Sequence, residues 1–265
     1  MIDLERNLKK QMEDNFQTKE ERWLQKKKGV ISASELKRLL SKSGKFTQTN
    51  ISYLYEKQYE RYNTNSLPKV DTWEMRIGKE NEVYAVAWIR ENYPDLDIHH
   101  CTEDYEDIVF IKSEAGLGIS PDTIVGDIES LVEIKCVVSR GTISMYFSRS
   151  MPYEKKKAMA FEEHKEQLAG QLSGFPDMQY IYLLKYQPLL DSDSIDSAGV
   201  LDISRGLLFR YERSELQELI DEINRVVPIA NNYIDSFKDL DLINDNIKSD
   251  EILEKIVEVC KPKIN

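Results

Sequence analysis

The stretch from Gly118 to Cys136, GISPDTIVGDIESLVEIKC, constrains this chain more than any other. Two aliphatic, β-branched runs, residues 119–125 and 131–138, flank the turn-forming segment 126–130. That order predicts a β-hairpin. The second run breaks its own pattern, because Glu133 and Lys135 stand among Leu131, Val132 and Ile134. Side chains on a strand alternate with a period of two, so Glu133 and Lys135 share a face. A carboxylate and an ammonium on a strand built for a core need a task. Asp122, directly after Pro121 on the first run, reaches the same face if the strands pair.

An Asp on one strand and Glu-x-Lys on the next make a small site for a hard cation. Mg²⁺ takes oxygen ligands and keeps several waters, so one or two carboxylates plus a backbone carbonyl suffice. Such a metal polarises a phosphodiester and lowers the pKa of a water. The lysine then holds the attacking water or offsets charge in the transition state. Pro121-Asp122 followed by Glu133-Ile134-Lys135 resembles the PD-(D/E)XK nuclease motif. A surface hairpin carrying one Glu–Lys pair is the plain alternative, and the flanking chain decides between them.

A chain of 265 residues with 41% hydrophobic content can bury a substantial core. No apolar run reaches transmembrane length, and the first residues, MIDLERNLKKQMEDNF, do not read as a signal peptide. Cys101, Cys136 and Cys260 are far apart and odd in number, which indicates neither a zinc site nor a disulfide framework. A reducing, cytoplasmic setting is expected. The net charge of −11 argues against a protein that passively coats DNA. Between Lys26 and Lys45, however, seven cations face the single Glu35, and from Tyr211 onward acids outnumber bases.

Apolar spacing predicts helices over residues 2–26, 49–62, 73–93, 161–173, 212–237 and 250–260. A further helix, capped by Ser32 or Ser34, is expected to end near Ser43-Gly44. Residues 96–101, 108–112, 179–186, 199–202 and 206–211 read as strands, residues 63–67 as a polar loop, and residues 140–150 as irregular. One α/β domain spanning residues 1–265 is the simplest organisation. Its core covers about residues 23–190, with helical segments at 1–22 and about 212–265.

Four features in order resemble the lambda-type exonucleases, also described as YqaJ-like viral recombinases. They are Trp23 followed by Gly29-Val30-Ile31-Ser32-Ala33-Ser34-Glu35, then Gly78-Lys79-Glu80-Asn81-Glu82 with Ala85. The hairpin Ser120-Pro121-Asp122 with Glu133-Ile134-Lys135-Cys136 is third, and Gln167 in HKEQLAGQL, before a strand ending Tyr186-Gln187-Pro188, is fourth. The resemblance implies a PD-(D/E)XK fold, a central mixed β-sheet flanked by helices. It implies metal-dependent hydrolysis of duplex DNA from an end, taking the 5′ strand and leaving 3′ single strands for phage-type recombination. A single-strand annealing protein as partner and a ring-shaped homotrimer around the DNA belong to the same expectation. A PD-(D/E)XK endonuclease is the alternative, and a non-catalytic DNA-binding protein is a more distant one.

Carried over residue by residue, Asp122 and Glu133, with the Ile134 carbonyl, would ligate Mg²⁺ or Mn²⁺, one or two ions in all. Glu82 would hold a second metal or a water on it. Lys135 would position or deprotonate the attacking water, and Gln167 would orient water or the scissile phosphate. The 5′-phosphate would meet Ser34 and Lys27, with Lys26 or Lys28 able to replace Lys27 as the cation. Lysine keeps the charge but lacks the bidentate fork of the arginine in the family's best-known member. Arg140, just past the second strand, would touch the DNA backbone. His99-His100 lack a third ligand at metal spacing, and His164 reads as a surface residue near the site. Trp88, Tyr93, Tyr180 and Tyr182 read as core.

Overall fold

The computed structural model describes residues 18–40, 47–62, 72–188 and 205–236. Within them, helix α1 covers residues 18–27, and a 3₁₀ turn, Ala33–Glu35, leads into the short helix α2, Leu36–Leu39. The remaining helices are α3 (Gln48–Tyr62), α4 (Trp73–Asn92), α5 (Arg140–Phe147), α6 (Tyr153–Ser173) and α7 (Arg213–Ser236). The strands are β1 (Ile98–His100), β2 (Ile111–Lys112), β3 (Gly118–Ile119), β4 (Thr123–Val125), β5 (Ser130–Cys136), β6 (Tyr180–Gln187) and β7 (Arg205–Glu212).

Five strands form one mixed sheet in the order β1-β4-β5-β6-β7. Strand β5 pairs antiparallel with β4 and parallel with β6, and β6 pairs antiparallel with β7. The parallel crossover runs through α5 and α6, as parallel neighbours require. Alternation along β5 then sorts its two faces. Val132 and Ile134 bury against Ala85, Val86 and Ile89 of α4, together with Val125 and Leu184. Leu131, with Ile181, Leu183, Phe209 and Tyr211, faces a larger core built by α2, α3, α6 and α7. The result is a sheet between two helical layers, as the sequence predicts.

Several boundaries differ from the sequence reading. The first hairpin run is split: Gly118–Ile119 pairs with β2, and only Thr123–Val125 pairs with β5. Pro121 lies at the break, where a residue without an N–H cannot continue a ladder. The strand expected over residues 108–112 is reduced to Ile111–Lys112. Residues 140–147 are helical, not irregular: Ser139 Oγ accepts from the Thr142 N–H at 3.2 Å and caps α5. Helix α6 starts eight residues earlier than residue 161, directly after Pro152. Residues 2–17, the end near Ser43-Gly44, the loop at 63–67 and the elements at 199–202 and 250–260 lie outside the described residues.

The N-terminal segment is tied to the hairpin. Ser32 bridges to Gly118, the Gly118 N–H donates to the Ile31 carbonyl at 2.8 Å, and Trp23 Nε1 donates to Ser120 Oγ at 3.2 Å. Gly29 turns the chain into this segment at φ +65°, and a Cβ there would lie 2.6 Å from Arg61 Cα. Gly170 of α6 lets the Ala33 turn approach closely, since a Cβ there would sit 3.2 Å from Ala33 Cα. Among the described residues no helix is long and apolar enough to cross a membrane.

Candidate active site

Glu133 lies almost wholly buried on the α6-facing side of β5, and Lys135 two residues on shares that face. Their side chains meet, Lys135 Nζ donating to Glu133 Oε1. Helix α6 supplies two further donors. Gln167 Nε2 donates to Glu133 Oε1 at 2.6 Å, and Gln171 Nε2, one turn later, donates to Glu133 Oε2. A buried carboxylate needs such donors to remain charged.

Asp122 stands just before β4, where the antiparallel register brings it level with Glu133. Its Oδ2 accepts the Ile134 N–H at 2.6 Å. Burial pushes the Asp122 carboxyl well above the usual carboxylate range, and the nearby charges of Glu133 and Glu82 push it further. Burial works to lower the Lys135 ammonium, but Glu133 and Asp122 outweigh it and hold it above the ordinary lysine value.

Glu82 reaches the site from α4, in the opposite helical layer. Its Oε1 lies 2.8 Å from His100 Nε2 and 3.4 Å from Thr102 Oγ1. It is therefore no solvated-face residue, and its charge acts on Asp122 and Lys135. The partnership of Glu82 with His100 is absent from the sequence reading, because β1 pairs with β4 only in the folded sheet.

Among the described residues no three His, Cys, Asp or Glu side chains form a ready-made metal cluster. The donor set here is of another kind: the carboxylates of Asp122 and Glu133, with Glu82 close by. Burial, and then the repulsion among these carboxylates, keeps Asp122 from ionising easily, and such hard oxygens fit Mg²⁺ or Mn²⁺ by their chemistry. The protein's own cation, Lys135, partly offsets that repulsion in the metal-free site.

The expected end-binding residues separate. Ser34 is exposed on the turn before α2 and lines a cavity of about 110 Å³ against α6, with Lys37, His164, Glu166 and Gln167 among its walls. Lys27 lies over the Trp23 ring at 4.9 Å, and its charge acts on Glu35. Burial works against the Glu35 carboxylate, yet Lys57, Ser32 and Lys27 hold it below the usual range. Lys26 instead pairs with Asp107 at 3.1 Å, alongside Arg22 at 2.5 Å. Lys28 is half-buried in the turn after α1, and Arg140 is exposed at the first position of α5.

Sequence reasoning passed over Gln171, although its spacing of four from Gln167 placed both on one helical face. Lys37, which it counted only among the cations between Lys26 and Lys45, is the cation of the cavity. His164 is not a surface residue: its side chain is 18% exposed and its Nε2 lies 2.7 Å from Lys185 Nζ. Of the aromatics read as core, Tyr93 is exposed, while Trp88 and Tyr182 pack at the edge of the α4 cluster.

Two solved structures share this architecture. An alkaline exonuclease from Laribacter hongkongensis superposes with a TM-score of 0.59 at 21% identity, covering 83% of this chain and 96% of that one. A phage-related exonuclease from Haemophilus somnus 129PT gives a TM-score of 0.51 at 15% identity, covering 78% of this chain and 95% of that one. These likenesses place the fold in the PD-(D/E)XK class. No curated protein matches the chain. The YqaJ-like viral recombinase domain matches residues 22–173, which hold the Ser34 turn, Glu82, Asp122, Glu133, Lys135 and Gln167. The chain belongs to the YqaJ-like viral recombinase family.

Proposed function

We propose that this protein is a metal-dependent exonuclease that degrades the 5′ strand of duplex DNA from an end and leaves 3′ single strands for recombination. The observation that carries this reading is the convergence of Asp122, Glu133 and Lys135 at the split hairpin, with Gln167 on Glu133. The family and the two exonuclease folds support the same chemistry.

Asp122, Glu133 and the Ile134 carbonyl would hold Mg²⁺ or Mn²⁺, with Glu82 serving a second ion or its water. A bound ion supplies Lewis-acid polarisation of the scissile phosphodiester and acidifies the attacking water. Lys135, held as an ammonium by Glu133 and Asp122, would position that water and offset charge on the phosphate. Gln167 is bonded to Glu133 and orients the carboxylate; it also lines the Ser34 cavity, where it faces incoming substrate. The cavity next to the site supports a place for the strand end. Its cation is Lys37 rather than Lys27 or Lys26. Arg140, exposed beyond β5, is available to the DNA backbone. A ring trimer around the duplex and a single-strand annealing partner belong to the same reading, and light scattering reads the first directly.

The test uses linear duplex DNA labelled at the 5′ or the 3′ end, with and without Mg²⁺, beside a covalently closed circle. Early release of the 5′ label as mononucleotide, only with metal and with the circle intact, is the expected result. Cutting of the circle would replace this reading with an endonuclease. No cleavage in Mg²⁺ or Mn²⁺ by folded protein would leave a DNA-binding protein.

A further inference from the structure

The mechanism above leaves unused a polar network that runs from the buried Lys185 and Tyr146 out to the exposed Glu163. Lys185 on β6 is 4% exposed and stands opposite Lys135 in the parallel register. Its Nζ lies 2.8 Å from Glu163 Oε2, and Tyr146 Oη donates to the same oxygen at 2.8 Å. The second hydrogen-bond partner of Lys185 is His164 Nε2 at 2.7 Å, whereas His164 Nε2 lies 3.5 Å from Glu163 Oε2.

The chemistry of these partners selects a histidine tautomer. An ammonium paired with a carboxylate has only donors. The short contact therefore uses the lone pair of His164 Nε2, and the ring proton sits on Nδ1. The opposite tautomer would aim an N–H at the ammonium. Full protonation is also opposed: burial and then the charges of Lys185 and Lys135 hold the His164 pKa at about 3, with Lys37 adding to them and Glu163 working the other way.

His164 also lines the 110 Å³ cavity, beside Ser34, Lys37 and Gln167. That space amounts to a few waters, room enough for a phosphate group. Its walls bring together an ammonium, a hydroxyl and a neutral imidazole, all able to donate. Glu163, also on the wall, is already matched by Lys185 and Tyr146. Glu166 is the one wall carboxylate with no bond recorded among the described residues, and it opposes an anion.

We propose that His164 is a further substrate-binding residue, held by Lys185 as its Nδ1–H tautomer so that it donates to a phosphate of the DNA strand lodged beside Lys37 and Ser34. This rests on the nuclease reading of the adjoining site and adds to it the residue that meets a phosphate away from the scissile bond. The phosphate comes either from the strand end or from within the strand.

The test is made without metal, in EDTA, on protein labelled with ¹⁵N-histidine. The chain has three histidines, so His164→Asn assigns the third by difference. Long-range ¹H–¹⁵N spectra should show His164 as the neutral Nδ1–H form from pH 8 to pH 5. Inorganic phosphate should shift its Nδ1 signal, and Glu166→Gln should lower the phosphate midpoint several-fold. In duplex binding, His164→Leu should weaken affinity about tenfold, the scale of one hydrogen bond to a charged group. His164→Asn, whose amide N–H replaces Nδ1, should retain most of it, with thermal melting confirming that both variants fold. A loss confined to 5′-phosphorylated ends marks the terminal phosphate, and an equal loss on 5′-hydroxyl ends marks an internal one. An Nε2–H tautomer, no response of His164 to phosphate, or equal affinity for the Leu and Asn variants would overturn the proposal. Failure of the nuclease reading would appear separately, as absence of cleavage with metal, while these metal-free readouts remain.

Discussion

The backbone N–H of Ile134 donates to the Asp122 carboxylate at 2.6 Å, so the residue before β4 is fastened to the middle of β5. That bond holds Asp122 beside Glu133 although Pro121 interrupts the strand. Asn at position 122 keeps the acceptor and removes the charge. In the metal-free protein Asp122→Asn should therefore remove the cost of burying a carboxylate beside Glu133 and Glu82 and raise Tm by a few degrees, about 2–4 °C for each kcal/mol gained. The same variant, and Lys135→Ala, should lose cleavage by at least about a thousandfold. A melt without Mg²⁺ and a cleavage assay with it check the two halves.

Gln171 touches the carboxylate rather than the substrate. Its Nε2 bonds Glu133 Oε2, and its Oε1 has no protein partner among the described residues. Gln171→Leu thus deletes one interaction, the donor that orients Glu133. Loss of a partner behind a metal ligand typically weakens metal affinity about 10–100-fold. The Mg²⁺ concentration for half-maximal cleavage should rise by that factor, with the maximal rate largely recovered at saturating metal.

His164 gives a signature in acid. Its folded-state pKa of about 3 lies below the ordinary 6.5, so the unfolded chain binds a proton that the folded chain refuses. Stability should be full above pH 6.5 and fall below it by up to about 1.4 kcal/mol per pH unit for this one proton. Glu163 and Glu35, held below the usual carboxylate range, add their losses only at lower pH. Asp122, raised in the folded state, contributes with the opposite sign in this window, so the His164 slope is read as a difference: denaturant melts between pH 6.5 and pH 5 should show the native protein losing stability relative to His164→Gln.

Asp107 neutralises part of the basic N-terminal segment by pairing with both Arg22 and Lys26. Freeing those cations with Asp107→Ala should tighten non-specific DNA binding at low salt. The slope of log affinity against log salt should steepen by roughly one to two, one for each phosphate newly met. Fluorescence anisotropy at several salt concentrations measures it.

The motif was legible because alternation is local: Glu133 and Lys135 two residues apart must share a strand face, and the pairing of β4 with β5 brings Asp122 level with them. The sheet between helical layers followed from the resemblance carried by the four ordered features, since the spacing alone indicated only one α/β domain. What escaped depends on residues distant in sequence. His164 is buried by Lys185, twenty-one positions away, and Lys26 is paired with Asp107, eighty-one positions away. Helix α5 was hidden by Gly141 and a β-branched pair, although Ser139 offered a cap signal. The split of the first hairpin strand was readable from Pro121, whose missing N–H outweighs the β-branched run around it.

The matched family segment stops at residue 173, but the sheet does not. Strand β5, which carries Glu133 and Lys135, is flanked on one side by β6, and β6 is in turn paired along its whole length with β7. Arg213, at the start of α7, donates to the carbonyls of Leu172, Phe175 and Met178 and so seals the end of α6. A fragment cut at the end of the match would turn β5 from an interior strand into a bare edge, with its ladder groups open to other chains. The length that carries the recognisable signature is thus shorter than the length that can stay dispersed in water, and anyone expressing this protein in pieces should carry the chain through residue 236.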